Sequence, residues 1–401
     1  MTDQPTSAPG SPMVGFPLAT SSWDDKEYAA LHSVIESGRF TMGPLVAQFE
    51  REFADAMGSK FATMVNSGSS ANLLAIAAAV LDPRSDLNPG DEVLVPAVSW
   101  ATTYYPLSQY GLILKFVDID VDTLNMDLDL AEAAIGPKTK AIFAVNLLGN
   151  PNDFSRLQAL ADTHDLLLFE DNCESLGATF EGKAAGTFGQ MGTFSAFFSH
   201  HISTMEGGLI VTDDEQLHQM LTSLRAHGWT RELPEENFVH HKSGDMFDDL
   251  FRFVLPGYNV RPLEMSGALG IEQLKKVPSL IEGRRGNAQY FVSLFSDLEG
   301  VRIQRETGTS SWFGFSLVLE GSLAGRRNEV VAALREVDVE SRPIVAGNFT
   351  RNPVMQYLKS IVPDELPAAN KIHEDGLFVG NHHYPVHGGI DLLYRTIKGL
   401  R

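Results

Sequence analysis

Phe61-Ala62-Thr63-Met64-Val65-Asn66-Ser67-Gly68-Ser69-Ser70-Ala71-Asn72 runs from an apolar stretch through a turn of small residues into helix-forming sequence. That order reads as strand, turn, helix, the repeating unit of a parallel sheet. The helix is expected to continue over 71–81. Outward from this unit, apolar and β-branched runs at 92–96, 113–117, 141–145 and 166–170 read as buried strands, and 153–163 reads as a helix. The alternation predicts an α/β fold whose large sheet is mostly parallel and covered on both faces. In such sheets ligands sit at the carboxyl ends of the strands.

After about Pro278 the pattern changes to a helix near 280–298, a strand near 312–319, a charged helix near 324–337 and a strand near 339–344. The expected organisation is a flexible tail, 1–14, a large domain, 15–277, and a smaller α+β C-terminal domain, 278–401. No internal repeat is visible.

Among the 401 residues, 51 are acidic and 31 basic, a net charge of −20. Such a surface repels phosphate backbones, so no nucleic-acid partner is expected. Cys173 is the single cysteine. It allows no intrachain disulfide, which fits a reducing cytoplasm, and it cannot supply the ligands of an iron–sulfur cluster. Residues 1–14 are rich in Pro, Ser, Thr and Gly and lack the basic start of a signal peptide. The longest apolar stretch, 73–81, falls short of the roughly 18 residues that span a bilayer. No membrane partner is expected, and the location expected is the cytoplasm.

Three segments carry candidate chemistry. In Asn66 to Asn72, small residues would let a ligand approach the backbone, and the helix start offers free N–H groups to a phosphate. Plain capping by Ser69 or Ser70 explains the same residues equally well. In Glu170-Asp171-Asn172-Cys173-Glu174, a carboxylate at a strand end can pair with a protonated ring nitrogen, although an Asp that caps the next turn is the commoner case. The third segment is Phe194-Ser195-Ala196-Phe197-Phe198-Ser199-His200-His201, followed by Ile202-Ser203-Thr204-Met205-Glu206-Gly207-Gly208. Paired histidines suggest a metal or an acid–base centre. Adjacent side chains diverge on a strand, which disfavours the metal. Trp100, just past the strand ending at Pro96, would stack on a flat ring or pack in the core.

Together these segments resemble the DegT/DnrJ/StrS sugar aminotransferase family, from about Ser37 to Gly270 and more loosely beyond. Ser37-Gly38-Arg39-Phe40-Thr41-Met42-Gly43-Pro44 is similar to the motif that opens the family pattern. The resemblance implies an aspartate-aminotransferase-like fold (fold type I) and pyridoxal 5'-phosphate, cycling with pyridoxamine 5'-phosphate, as cofactor. It implies that Gly68, Ser69, Ser70 and Ser195 hold the cofactor phosphate, and that Trp100 stacks on the ring. It further implies that Asp171 pairs with the pyridine nitrogen and that Glu174 lies near the phenolic oxygen, where the family often has Gln. In Gly257-Tyr258-Asn259-Val260-Arg261, Asn259 matches the residue that crosses to the neighbouring subunit, so a homodimer with shared active sites is implied.

One position departs from the family pattern. Counting back from Gly207-Gly208, His200 occupies the place of the lysine that bonds the cofactor. An imidazole cannot make that bond, so the cofactor would be bound non-covalently. Two related enzyme types have histidine there, and both are 3-dehydratases of nucleotide-linked 4-keto-6-deoxy sugars. One type carries a cysteine-bound iron–sulfur cluster, which this chain cannot ligate, and the other carries none. The expectation is therefore a 3-dehydratase with His200 as catalytic acid–base. Its substrate would be a nucleotide sugar, GDP-4-keto-6-deoxy-D-mannose by resemblance, with L-glutamate as amino donor and ammonia released. The alternative is an aminotransferase acting at the 4-keto carbon of the same substrate class. His201 is expected to be structural, His227 to lie near the sugar, and no metal is expected.

Overall fold

The computed structural model describes residues 15–401; the tail expected at 1–14 lies outside the described residues. Chain order gives the strands β1 (Phe61–Val65), β2 (Glu92–Pro96), β3 (Ile113–Val117), β4 (Thr139–Val145), β5 (Leu167–Asp171), β6 (Thr179–Phe180), β7 (Lys183–Ala184), β8 (Met191–Ser195), β9 (Gly208–Thr212), β10 (Val301–Arg302), β11 (Gly314–Leu319), β12 (Ser341–Arg342), β13 (Ser360–Ile361) and β14 (Gly376–Gly380). Eight of them form one sheet in the order β1-β9-β8-β5-β4-β2-β3-β13. Strand β9 runs against both of its neighbours, and all the others share one direction. Strands β2, β5, β8 and β9 are almost wholly buried. Their largely apolar sequences fit that, because helices cover both faces of the sheet. The mostly parallel sheet is the one expected.

The shared direction brings the carboxyl ends of β1, β2, β5 and β8 to one edge. Strand β9 begins at that edge, with Gly208 opposite both Val65 and Ser195. A side chain at Gly208 would land on the Ser67 carbonyl, so only glycine lets β9 pass this close to the turn after β1.

The strand boundaries expected for β1, β2 and β3 match, whereas β5 is displaced by one residue and includes Asp171. The helical segment expected near 280–298 is instead part of one helix, Glu264–Phe295, that passes through Pro278. It packs on the helices Asp25–Ser37 and Pro44–Met57. Its last turns pack under a second sheet, β10-β11-β14-β12, which is antiparallel throughout. Phe291, Phe295 and Phe315 stack there with centroids 4.6 and 4.4 Å apart, and Phe16 and the helix His387–Gly399 close the same core. The strand expected near 339–344 is shorter, Ser341–Arg342. Strand β13 was not expected; it leaves the C-terminal part of the chain to extend the large sheet beside β3.

Candidate active site

The turn after β1 is a shaped cradle. Ser67 caps the helix Gly68–Leu81 by accepting from Ser70 N–H at 3.1 Å, so the cap is Ser67 and not Ser69 or Ser70. Ser70 donates to Asn66 at 2.7 Å, and Ser69 to Thr102 at 2.9 Å. The first N–H groups of this helix have no acceptor within it. A Cβ at Gly68 would come within 2.8 Å of Ser195 Cβ and 2.9 Å of Cys173 Sγ. The absence of a side chain thus lets the helix start pack directly against the end of β8 and Cys173. A phosphate suits this helix start, where free N–H groups, serine hydroxyls and the helix dipole converge.

Asp171 ends β5 and is 5% exposed. Its Oδ2 accepts from Asn72 Nδ2 at 2.8 Å and Thr103 Oγ1 at 2.7 Å, and its Oδ1 accepts from Cys173 N–H at 3.2 Å. The aspartate is therefore a fixed, bonded carboxylate rather than a turn cap alone. Asn72 is itself held by Thr193, and Thr103 by Ser99. Neighbouring Glu170 faces the other way, where three backbone N–H groups, of Gly186, Phe188 and Gly189, donate to it. Trp100 stands beside this site just before the helix Ala101–Gln109 and is 60% exposed, so packing in the core is ruled out for it. A buried carboxylate, a helix start with free N–H groups beside serine hydroxyls, and an exposed indole make up the parts that hold a pyridine cofactor, and the residues present fit the group.

Glu174 accepts from Leu148 N–H at 3.0 Å. Burial pushes its carboxyl up to about 7, against the lowering effect of that bond, and the charge of Asp171 adds to the rise. Leu148 in turn accepts from Phe313 N–H at 3.0 Å. The Phe313 ring lies 5.1 Å from the ring of His200 and 5.6 Å from that of His201. Both histidines stand in the loop after β8 and not on a strand, and their rings converge on one aromatic side chain instead of diverging. His200 Nδ1 is buried without a hydrogen-bond partner. Burial, then the nearby Arg284 charge, pushes His200 down to about 4 from its ordinary 6.5. The resting imidazole is therefore neutral and able to accept a proton. His201 is 2% exposed and bonds the Ser311 carbonyl through Nε2 at 3.2 Å.

Asn259 is exposed, bonded within the chain to Arg261 at 3.0 Å. Its segment lies against the cradle, since Asn66 N–H donates to Val260 O at 2.9 Å. His227 donates its N–H to Tyr258 O at 2.6 Å and therefore lies beside this segment. Sequence reasoning missed Thr103, Leu148 and Phe313, and it placed Asn72 in the phosphate segment without seeing that it bonds Asp171. Thr103 lies three residues past Trp100, and that nearness was the available signal. Nothing in the sequence pairs Phe313 with His200. Among the described residues no group of three or more potential ligands could hold a metal ion, and no helix is long and apolar enough to cross a membrane.

A pyridine-binding edge on a mostly parallel sheet defines the aminotransferase class of fold, and the chain belongs to the DegT/DnrJ/EryC1/StrS aminotransferase family, whose profile matches residues 21–385. The match thus reaches further toward both ends than the motifs indicate. Within that family the chain is 54% identical over 388 residues to a GDP-4-keto-6-deoxy-D-mannose 3-dehydratase of Escherichia coli O55:H7, covering 96% of this chain and 100% of the relative. The solved E. coli GDP-4-keto-6-deoxy-D-mannose-3-dehydratase with bound hydrated PLP superposes with a TM-score of 0.94 at 54% identity, covering 96% of this chain and 99% of that one. A structure of GDP-4-keto-6-deoxymannose-3-dehydratase with a trapped PLP-glutamate geminal diamine gives a TM-score of 0.93 at 54% identity, covering 95% and 99%.

Proposed function

We propose that this chain is a pyridoxal-phosphate-dependent 3-dehydratase of GDP-4-keto-6-deoxy-D-mannose, with glutamate as amino donor and ammonia as co-product. The observation that carries the reading is His200, a half-buried neutral imidazole in the position of the cofactor-bonding lysine. The near-full-length identity to dehydratases of this specificity supports it. The hydrated PLP of one relative and the PLP-glutamate adduct of another support the cofactor and the donor.

Asp171 would face the pyridine nitrogen, Trp100 the ring, and Glu174 the phenolic oxygen. Gly68, Ser69, Ser70 and Ser195 would hold the phosphate. When bound as its amine, the cofactor supplies a nucleophile for the sugar ketone and a sink for electrons. With the cofactor held there, the His200 imidazole would take up the proton released beside that amine and would hand it to the departing 3-hydroxyl, which would leave as water. A neutral resting imidazole suits the first task, and the acidity of its protonated form suits the second.

The reading includes a homodimer in which exposed Asn259 reaches the partner's phosphate, because among the described residues that side chain bonds only its neighbour Arg261. Exposed apolar side chains nearby, Phe40, Leu263, Phe247 and Phe251, support a covered surface there. It also includes a large domain, 15–277, and a small domain, 278–401, bridged by the helix Glu264–Phe295, and a cytoplasmic location consistent with one unpaired cysteine.

The test is product analysis after incubation with cofactor, glutamate and GDP-4-keto-6-deoxy-D-mannose. A 3-deoxy sugar with one ammonia per sugar is expected. An amino sugar without ammonia would replace the reading with an aminotransferase, and turnover of only a differently linked nucleotide sugar would replace the substrate.

A further inference from the structure

Arg284, on the helix Glu264–Phe295, is 7% exposed and forms no ion pair among the described residues. Its Nη1 donates to the carbonyls of Phe313 at 3.0 Å and Asn381 at 2.8 Å, while its Nε is buried with no partner. A buried cation without a carboxylate is unusual, since such charges are ordinarily paired. We infer that Arg284 is a positioning residue for His200, acting through Phe313 and through its own uncompensated charge.

The mechanical half of the argument is a chain of contacts. Phe313 is fixed at both ends of its peptide unit, by Leu148 O at its N–H and by Arg284 at its carbonyl. Asn381 completes the clamp by donating to Trp312 O at 2.9 Å and Arg284 O at 3.1 Å. Trp312 and Leu148 on either side have φ of +49° and +52°, a conformation that non-glycine residues hold only where the surroundings impose it. The ring so fixed is the surface on which His200 rests.

The electrostatic half concerns the charge that acts on His200. Arg284, from the long helix, acts on it, and the same guanidinium acts on His201 in the same loop and on His382 and His383 in the segment after β14. Arg285 is offset by the Glu306 carboxylate, whereas Arg284 faces the neutral phenol of Tyr384 and no carboxylate among the described residues. For His200, His201, His382 and His383 alike, burial comes first and the Arg284 charge second in holding the ring neutral. A ring that accepts a proton beside this fixed charge is a stronger acid than an ordinary imidazolium. It is therefore disposed to pass the proton on within the same turnover.

The usefulness of that acidity rests on the dehydratase reading, but the titration itself does not. The experiment is an NMR titration of histidine-labelled full chain, with the His200 signal assigned by its loss in His200→Asn. His200 is expected to stay neutral down to about pH 5. In Arg284→Met, and in Arg284→Gln, which keeps a donor for the carbonyls, the midpoint is expected to rise by about half a pH unit or more. Arg284→Lys, which keeps the charge, is expected to move it less. The acid limb of kcat should follow the same order. A wild-type midpoint near the ordinary 6.5, or an unmoved midpoint in folded Arg284→Met or Arg284→Gln, overturns the inference. A failed product assay would leave the titration interpretable, and the reverse also holds.

Discussion

The proposed function assigns Asp171 and His200 to one site; they stand at the ends of neighbouring strands or just past them, and their surroundings are built on opposite plans. Around Asp171 three donors reach the two oxygens, and each donor's side chain or segment is itself anchored. Around His200 the packing is aromatic, and Nδ1 has no partner. A group that must hold one charge throughout turnover gains from a fully bonded, preorganised surround. A group that must take up and return a proton would be locked into one protonation state by the same surround. The difference separates a binding residue from a proton-transfer residue more clearly than residue type does.

The sharpest way to break the comparison is to remove the proton carrier. His200→Asn should lower dehydratase kcat by about 10²–10⁴-fold, the usual worth of general acid–base catalysis. Cofactor affinity, measured by fluorescence quenching, should change only a few-fold. A parallel loss of both would make His200 a binding residue. Asp171→Asn should do the converse and weaken cofactor binding about 10–100-fold, as expected for a charged hydrogen bond worth about 1.5–3 kcal/mol. Trp100→Ala should weaken cofactor binding by about 0.5–1.5 kcal/mol. Its melting temperature should hold, because the indole is 60% exposed in the chain alone.

A further effect concerns pH. His200, His382 and His383 are each held down at about 4 by burial and by Arg284, and His201 well below its ordinary value. An unfolded chain protonates these rings near 6.5, whereas the folded chain does not. Below that pH the unfolded state binds more protons, so this contribution to stability is complete above pH 6.5 and declines as pH falls toward 4. Thermal melts between pH 7.5 and 5 should show a progressive drop, and a flat profile would contradict the buried-histidine description.

Much of this was legible in the sequence, though unevenly. The largely apolar runs of β1, β2 and β3 gave their own boundaries because a strand covered on both faces needs little else to identify it. Asp171 was readable only through the family resemblance, since its own segment fits a turn cap as well. Strand β13 was not, since Ser360 and Ile361 pair with β3 only through tertiary contact. Pro278 suggested a break, but the helix absorbs it under packing from two other helices. The environment of His200 was not legible either. Its surroundings come from Arg284 and Phe313, more than eighty residues away in sequence, and no local pattern carries that information.

The account turns on an imidazole standing where a cofactor-bonding amine would be. The direct measurement is the intact mass of the pure protein after incubation with pyridoxal phosphate and reduction with borohydride. The chain should keep its unmodified mass and release the cofactor as the free alcohol. A stoichiometric mass gain of one reduced cofactor, mapped to any lysine in the site, would contradict the account.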